Sequence, residues 1–416
     1  MFAKTPTKGM RDFLPEEFRF RQKVLEIIQN TYEKYGFSRI ATPSVENIEL
    51  LCSKQGGDNE KLIYKILKRG EKLEKATDGQ QCDLGLRYDL TVPLARFFAN
   101  NQGQLPSVFK AMQMDYVWRA DRPQRGRFRQ FMQCDIDILG EESNIAEIDL
   151  IVATMQALKN LGFNGVTVKI SDRRLLTAIA EKCGFEKELH DKVFIILDKL
   201  DKIGIGDVMQ EIEEIAPGKS VAFVDMLNRI INSDNPLQSA INELGETLPS
   251  AVADNLRQII AVVNNTITNG RVVFDVTLVR GMGYYTGTIY EISLDGLDIS
   301  AGGGGRYDEM IGKITGTKVP ACGFSIGFER IVLLLSERGV KIGEKRHATA
   351  LVIPKKCTDK QYCDIMDYAQ HHRENGTEVS VVKRIKNFAF QLKQLREQGF
   401  DAIYEFKENG ELVKID

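Results

Sequence analysis

The stretch VWRADRPQRGRFRQF, residues 117–131, decides how the rest of the chain is read. It carries five arginines (Arg119, Arg122, Arg125, Arg127, Arg129) against one acid, Asp121, in a chain whose net charge is only −2. The apolar residues before it alternate like a strand, Pro123 and Gly126 mark a turn, and a strand-like run, FMQCDIDIL, follows. The spacing predicts a hairpin with a loop lined by guanidinium groups. Arginine forks match phosphate oxygens two bonds at a time, so such a loop suits a polyphosphate, a nucleic-acid backbone, or both. A solvated basic turn is the competing reading. The paired arginines after Gly126, with flanking aromatics able to stack on a base, favour an anion site.

Working outward, 416 residues suffice for two or three domains with ample buried core. With 43% hydrophobic and 27% charged residues the composition is that of a soluble globular protein. Near-neutral charge argues against coating DNA non-specifically, so any nucleic-acid contact must be a local patch. No apolar run approaches the ~20 residues of a membrane span, and residues 1–9 carry no secretory core, so no membrane association is expected. The seven cysteines (52, 82, 134, 183, 322, 357, 363) are odd in number and form no CxxC pair. A reduced, cytoplasmic protein without a structural metal is the simplest inference. Its four histidines (190, 347, 371, 372) all lie away from the arginine loop and the glycine run 302–305, which argues against a protein histidine base.

Three regions emerge. Residues 1–170 alternate helical and strand patterns, with a helix over Glu16–Tyr35 that Gly36 ends. Residues 171–270 read as an all-helical insertion. Ser171 is the candidate cap of its first helix, which stops at Gly184, and later breaks fall at Gly204, Pro217, Pro236 and Pro249. Strand-like sequence resumes at Arg271 and runs through TGTIYEISL and the glycine run, then ends in a buried helix, Phe328–Arg338. After a charged stretch, 338–346, a small α/β unit follows. Its strands are ATALVIP, TEVSVV, DAIYEF and ELVKI, and its helices are Asp359–Glu374 and Lys386–Gln398. Its 12 basic and 11 acidic residues cancel, leaving only the cluster Lys383-Arg384-Ile385-Lys386 as a hint of nucleic-acid contact.

Taken together, these motifs resemble the class II aminoacyl-tRNA synthetases, and among them the histidyl-tRNA synthetase family. GMRDFLPEE (9–17) and GFSRIATPSVEN (36–47) are similar to its opening signature and first class motif, with Pro43 as the motif proline. LRYDLTVPLAR (86–96) resembles the segment that holds the substrate amino group. VWRADRPQRGRFRQFMQCDIDILG (117–140) is similar to the second class motif and its extension. LVRGMGYYTGTIYE (278–291) and AGGGGRYDEM (301–310) look like the two histidyl peptides, and GFSIGFERI (323–331) like the third class motif. Order and joint presence make the match specific across essentially the whole chain.

The resemblance implies an α/β (α+β) fold. An antiparallel sheet flanked by helices would form a catalytic domain over 1–170 and 271–337, with a helical insertion over 171–270 and an anticodon-binding domain over 346–416. It implies a homodimer that activates L-histidine with ATP and Mg2+ and transfers it to tRNA(His). By position, Arg119 and Arg280 would hold the α-phosphate from opposite sides, with Asp121 and Arg127 also on ATP. Phe131 and Arg330 would sandwich adenine. Asp89, Thr91 and Gln133 would bind the α-amino group, and Asp137 and Tyr285 would read the imidazole, with Tyr284 and Tyr307 alongside. Arg122, Arg125, Lys383 and Lys386 are the tRNA candidates.

Each role has a bland counterpart: an Arg119 pair with Asp121, an Arg330 pair with Glu329, or a solvent-facing Asp137. Alternation along the second strand puts Gln133, Asp135 and Asp137 on one face and so favours a polar pocket wall. A buried Arg280 without an anion would be costly, which favours a ligand there. The chain departs from the family pattern at Gly283, where many relatives carry an acid. Asp89, Asp121 and Asp137 replace the glutamates of some relatives, as in the eukaryote-like branch. Two rival readings are a histidine-binding regulatory subunit of ATP phosphoribosyltransferase and a class II synthetase for Gly, Thr or Pro. Retention of both arginines and of the C-terminal unit opposes the first, and the RGMGYYTG and GGGGRYD peptides oppose the second.

Overall fold

A computed structural model describes residues 3–52, 59–77, 79–280, 285–297, 299–340, 342, 348–407 and 409–415. It divides into two compact units, Met1–Phe13 with Arg21–Val340 and Leu14–Phe20 with Lys341–Asp416.

In chain order the first part comprises α1 (Pro15–Lys34), β1 (Ser38–Arg39), β2 (Val45–Asn47), α2 (Ile48–Leu51), β3 (Lys65–Leu67), α3 (Glu71–Glu74), β4 (Cys82–Leu86) and α4 (Thr91–Asn101). The expected hairpin follows as β5 (Phe109–Trp118) and β6 (Gln130–Leu139), paired antiparallel over ten residues from Phe109↔Leu139 to Trp118↔Gln130. Next come α5 (Ile145–Asn160) and β7 (Val166–Asp172). The helices are α6 (Arg173–Lys182), α7 (His190–Leu197), α8 (Leu200–Ile215), α9 (Ser220–Ile231), α10 (Pro236–Leu244) and α11 (Ser250–Thr266). The unit closes with β8 (Gly270–Phe274), β9 (Thr288–Ser293), β10 (Gly302–Arg306), α12 (Asp308–Thr315), β11 (Ala321–Ile326) and α13 (Phe328–Glu337).

Eight strands form one sheet in the order β1-β5-β6-β11-β10-β9-β7-β8. From β5 to β7 every pairing is antiparallel; β1 against β5 and β8 against β7 are parallel. The second strand of the hairpin is therefore central, and eight of its ten residues, Met132 to Leu139, are buried. Leu94, Ala95 and Phe98 of α4 pack with Phe109, Leu139, Tyr307 and Ile311 into one apolar cluster. This cluster fixes the α4 N-terminus beside the open face of β6.

Local chemistry explains most element ends. Gly36 (φ 82°), Gly184 (φ 74°) and Gly339 (φ 64°) take the left-handed conformation after α1, α6 and α13. Pro236 stands at the first position of α10, and Gly204 kinks α8. Ser171 is not the helix cap expected from the sequence. It is buried in β7, and the Asp172 carboxylate accepts from the Arg174 N–H at 2.9 Å instead. An ionised carboxylate is the better acceptor at a helix N-terminus.

The second unit holds β12 (Ala348–Ile353), α14 (Asp359–Glu374), β13 (Glu378–Lys383), α15 (Phe388–Glu397), β14 (Ala402–Phe406) and β15 (Leu412–Ile415). Its sheet runs β13-β12-β14-β15, parallel except at β15. Thr358 and Gln361 form a capping box on α14, and Ala348, Ala350, Val352, Leu395 and Ile403 make its core.

Candidate active site

A cavity of about 350 Å³ opens over the β6–β11–β10 face of the sheet. It brings together Asp89, Thr91, Arg119, Asp121, Arg127, Phe131, Gln133, Asp137, Arg280, Tyr285, Tyr307 and Arg330, residues separated by as many as 241 positions in the chain. Tyr284 and Gly283 lie outside the described residues. Arg122 and Arg125 stand off the cavity on the exposed loop, where Arg125 pairs with Glu337 at 2.6 Å.

One half of the cavity is acidic. Gln133, Asp135 and Asp137 share a face of β6, each at most 9% exposed, as the alternation predicts. The Tyr307 hydroxyl donates to Asp137 Oδ1 at 2.5 Å. Room for that carboxyl exists because residue 323 on the paired strand is glycine: a β-carbon there would overlap Asp137 Oδ1 and lie 3.0 Å from its Cγ. Asp89 accepts from the Val92 N–H at 3.1 Å, in the first turn of α4. Burial pushes the Asp137 carboxyl well above the usual range, with Asp135 adding to it and the Tyr307 bond opposing. Burial likewise raises Asp135 to about 7, and raises Asp89 against the opposing pull of the Val92 N–H and Arg119. Three buried carboxyls so close together favour a cationic ligand, whose charge would relieve their mutual repulsion.

The other half is cationic. Arg119 Nε donates to the Tyr88 carbonyl at 2.8 Å, and its Cζ lies 5.1 Å from the centre of the Phe131 ring. The Arg119–Asp121 pair is not formed, because Asp121 faces Arg127 at 3.3 Å. Nor does Arg330 pair with Glu329. Arg21 claims that carboxylate with two bonds of 2.7 Å, and Glu329 also accepts from the Met132 N–H. Arg330 instead donates to the Ser300 carbonyl, and its charge is disfavoured, down to about 10, by burial and then by Arg127 and Arg280. Converging guanidinium groups with raised mutual repulsion suit a polyanion.

Arg280 differs from the sequence expectation. It is not without an anion: Glu291 pairs with it at 2.7 Å, and Ser300 Oγ accepts at 2.9 Å. Glu291 lies eleven residues along, on β9, and was invisible as a partner until that strand was placed. The glycine run, part of the strand-like stretch read from the sequence, is a buried strand inside the sheet, β10. Its side-chain-free surface admits Arg280, whose Cζ would sit only 2.6 Å from a β-carbon at Gly303. The sequence also left Glu329, Arg21 and the Asp135–Ser325 pair across β6 and β11 unassigned.

An antiparallel ladder flanked by helices is the fold of the class II aminoacyl-tRNA synthetases. Comparison with known proteins narrows the class. The histidyl-tRNA synthetase profile matches residues 9–331. A histidine–tRNA ligase of Leifsonia xyli subsp. xyli is 45% identical over 344 residues, covering 80% of each chain. That of Aeropyrum pernix is 37% identical over 345 residues, covering 81% of this chain and 74% of its own. The crystal structure of histidyl-tRNA synthetase from Nostoc sp. PCC 7120 superposes with a TM-score of 0.79 at 27% identity, covering 100% of this chain and 97% of that one. The chain belongs to the histidyl-tRNA synthetase family.

Proposed function

We infer that this protein is a histidine–tRNA ligase, activating L-histidine with ATP to histidyl-adenylate and passing the histidyl group to the 3′ end of tRNA(His). The observation that carries the reading is one cavity whose acidic, tyrosine-lined half adjoins a cluster of arginines. The acidic half suits an ammonium and an imidazole, and the arginines suit a triphosphate.

In the first step a histidine carboxylate oxygen attacks the α-phosphorus and pyrophosphate leaves. Arg119 and Arg280 are the catalytic pair for this step, since fixed cations placed where negative charge builds need no reorganisation during reaction. Glu291 holds Arg280 ready. Asp121 and Arg127 bind the nucleotide's phosphates, while Phe131 and Arg330 enclose its base. Asp89, Thr91 and Gln133 hold the α-ammonium. Asp137, fixed by Tyr307, reads an imidazole N–H together with Tyr285, with Tyr284 nearby. Mg2+ belongs with the nucleotide as counter-ion to its phosphates. The carboxylates on the arginine side, Asp121, Glu291 and Glu329, are each engaged by an arginine, so they do not make a cage for it. In the second step a ribose hydroxyl of the terminal adenosine attacks the acyl carbon and AMP leaves.

The residues 1–170 and 271–337 form the catalytic domain, 171–270 a helical insertion, and 346–416 the anticodon-binding domain of a cytoplasmic homodimer. Family resemblance supports these assignments. Arg122, Arg125, Lys383 and Lys386 are the candidate RNA contacts. Within the C-terminal cluster Arg384 is held by Glu405 and stacks on Phe388, while Lys383 and Lys386 are both exposed. Charging is the direct test: full-length protein, ATP and labelled histidine should aminoacylate tRNA(His) and no other tRNA. Failure to charge tRNA(His) would overturn the reading.

A further inference from the structure

One buried acid of the cavity has no part in the roles above. Asp135 is 4% exposed at the middle of β6, opposite Gln113 of β5 and Ser325 of β11. Its carboxylate faces the side-chain amide of Gln133, whose Nε2 lies 3.2 and 3.1 Å from the two Asp135 oxygens and 3.2 Å from Ser325 Oγ. The other end of that amide, Oε1, accepts from Arg119 Nη2 at 3.4 Å.

We propose that Asp135 is a positioning residue: it fixes the orientation of the Gln133 amide, so that a carbonyl oxygen rather than an NH2 group faces the α-ammonium of the amino-acid substrate. The proposal rests on the reading that this half of the cavity takes histidine. An ionised carboxylate only accepts hydrogen bonds, whereas an amide has a donor end and an acceptor end of nearly equal shape. With Asp135 ionised, the Gln133 NH2 must turn toward β11. Turned over, the amide would set its oxygen against two carboxylate oxygens and its NH2 against the Arg119 guanidinium, so both ends would be mispaired in a buried site. The Oε1 atom has a second lone pair beyond the one Arg119 uses, and that is the acceptor offered to an ammonium. The sequence-level assignment of Gln133 as an amino-group ligand thus depends on an acid two residues along. Burial keeps the Asp135 carboxyl at about 7, and a bound ammonium favours its ionised form, which tightens the lock as the ligand arrives.

The test uses full-length wild type, Asp135→Asn, Gln133→Glu and the double variant, in histidine-dependent pyrophosphate exchange at pH 8. An asparagine at 135 accepts or donates, so it releases the amide. Loss of one oriented charge-assisted bond corresponds to a rise of roughly 10-fold or more in the histidine KM, with the ATP KM within about 2-fold. Inhibition by histidinol, which keeps the amino group, should weaken in parallel. Inhibition by 3-(imidazol-4-yl)propionate, which lacks it, should not change. The double variant should return to about the histidine KM of Gln133→Glu alone, because a carboxylate at 133 accepts whichever way it turns. Asp135→Ser, with the same freedom to donate, replaces Asp135→Asn if the latter does not fold. An unchanged histidine KM in these variants would overturn the proposal, as would equal losses for the des-amino inhibitor and ATP. Failure of Gln133→Glu to rescue would also overturn it, placing Asp135 directly on the ammonium. A wild type without histidine-dependent exchange would refute the underlying reading as well, whereas an active wild type with an indifferent Asp135 refutes the positioning role alone.

Discussion

Substituting Gly323 by alanine should impair histidine selection without touching any residue assigned to ATP. The new β-carbon would overlap Asp137 Oδ1 and lie 3.0 Å from its Cγ and 3.2 Å from Tyr307 Cε1. The nearest atoms are all side-chain atoms, so the strand itself can stay in place while the carboxyl moves. Non-bonded heavy atoms need about 3.5 Å of separation, so the Asp137 carboxyl must withdraw by on the order of 1 Å. The Tyr307 O–H···O bond, 2.5 Å long, cannot survive that shift together with the proposed imidazole contact. Hydrogen bonds to charged groups contribute about 1.5–3 kcal/mol, so the histidine KM should rise roughly 10- to 150-fold. The assay is pyrophosphate exchange with histidine and ATP varied separately, with a thermal melt as the control on folding. A folded Gly323→Ala protein with a normal histidine KM would refute the placement of Asp137 against the imidazole. So would an equal rise in both KM values.

Replacing Arg280 with His should cut exchange by a factor of ~10²–10³ while the protein stays folded, because a fixed cation is lost where charge develops; near-normal exchange would exclude the assignment. Histidine binding at pH 7 should release protons. Burial holds Asp135 at about 7, and an ammonium beside it favours the ionised form, so its pKa falls on binding. Calorimetry in two buffers of different ionisation enthalpy measures the sign, and net proton uptake would contradict it. Removing residues 347–416 should spare exchange, since every adenylation residue named lies earlier in the chain, but sharply reduce charging of tRNA(His). Single-stranded loops are gripped through splayed bases and a few phosphate contacts, and these would be lost. Unchanged charging by the truncated protein would assign that unit another role.

Elements whose signal is local were legible from the sequence. The β5–β6 hairpin followed from alternation plus Pro123 and Gly126, and the end of α14 from Asn375-Gly376. The shared face of Gln133, Asp135 and Asp137 followed from the period of a strand alone. What could not be read was cross-chain pairing. Arg21 meets Glu329 across 308 residues, and nothing near either residue announces the partner. The same holds for Glu291 on Arg280. The glycine run read as part of a strand-like stretch, but its place in the middle of the sheet did not, because glycine is a poor strand former and only pairing with its neighbours sets that position. Ser171 failed as a cap because a better acceptor, Asp172, stood next to it.

The most direct measurement is ATP–pyrophosphate exchange by the full-length protein with each of the twenty amino acids in turn. Exchange with histidine alone, dependent on ATP and Mg2+, is the expected result. Exchange driven by glycine, threonine or proline, or none with histidine, would contradict it.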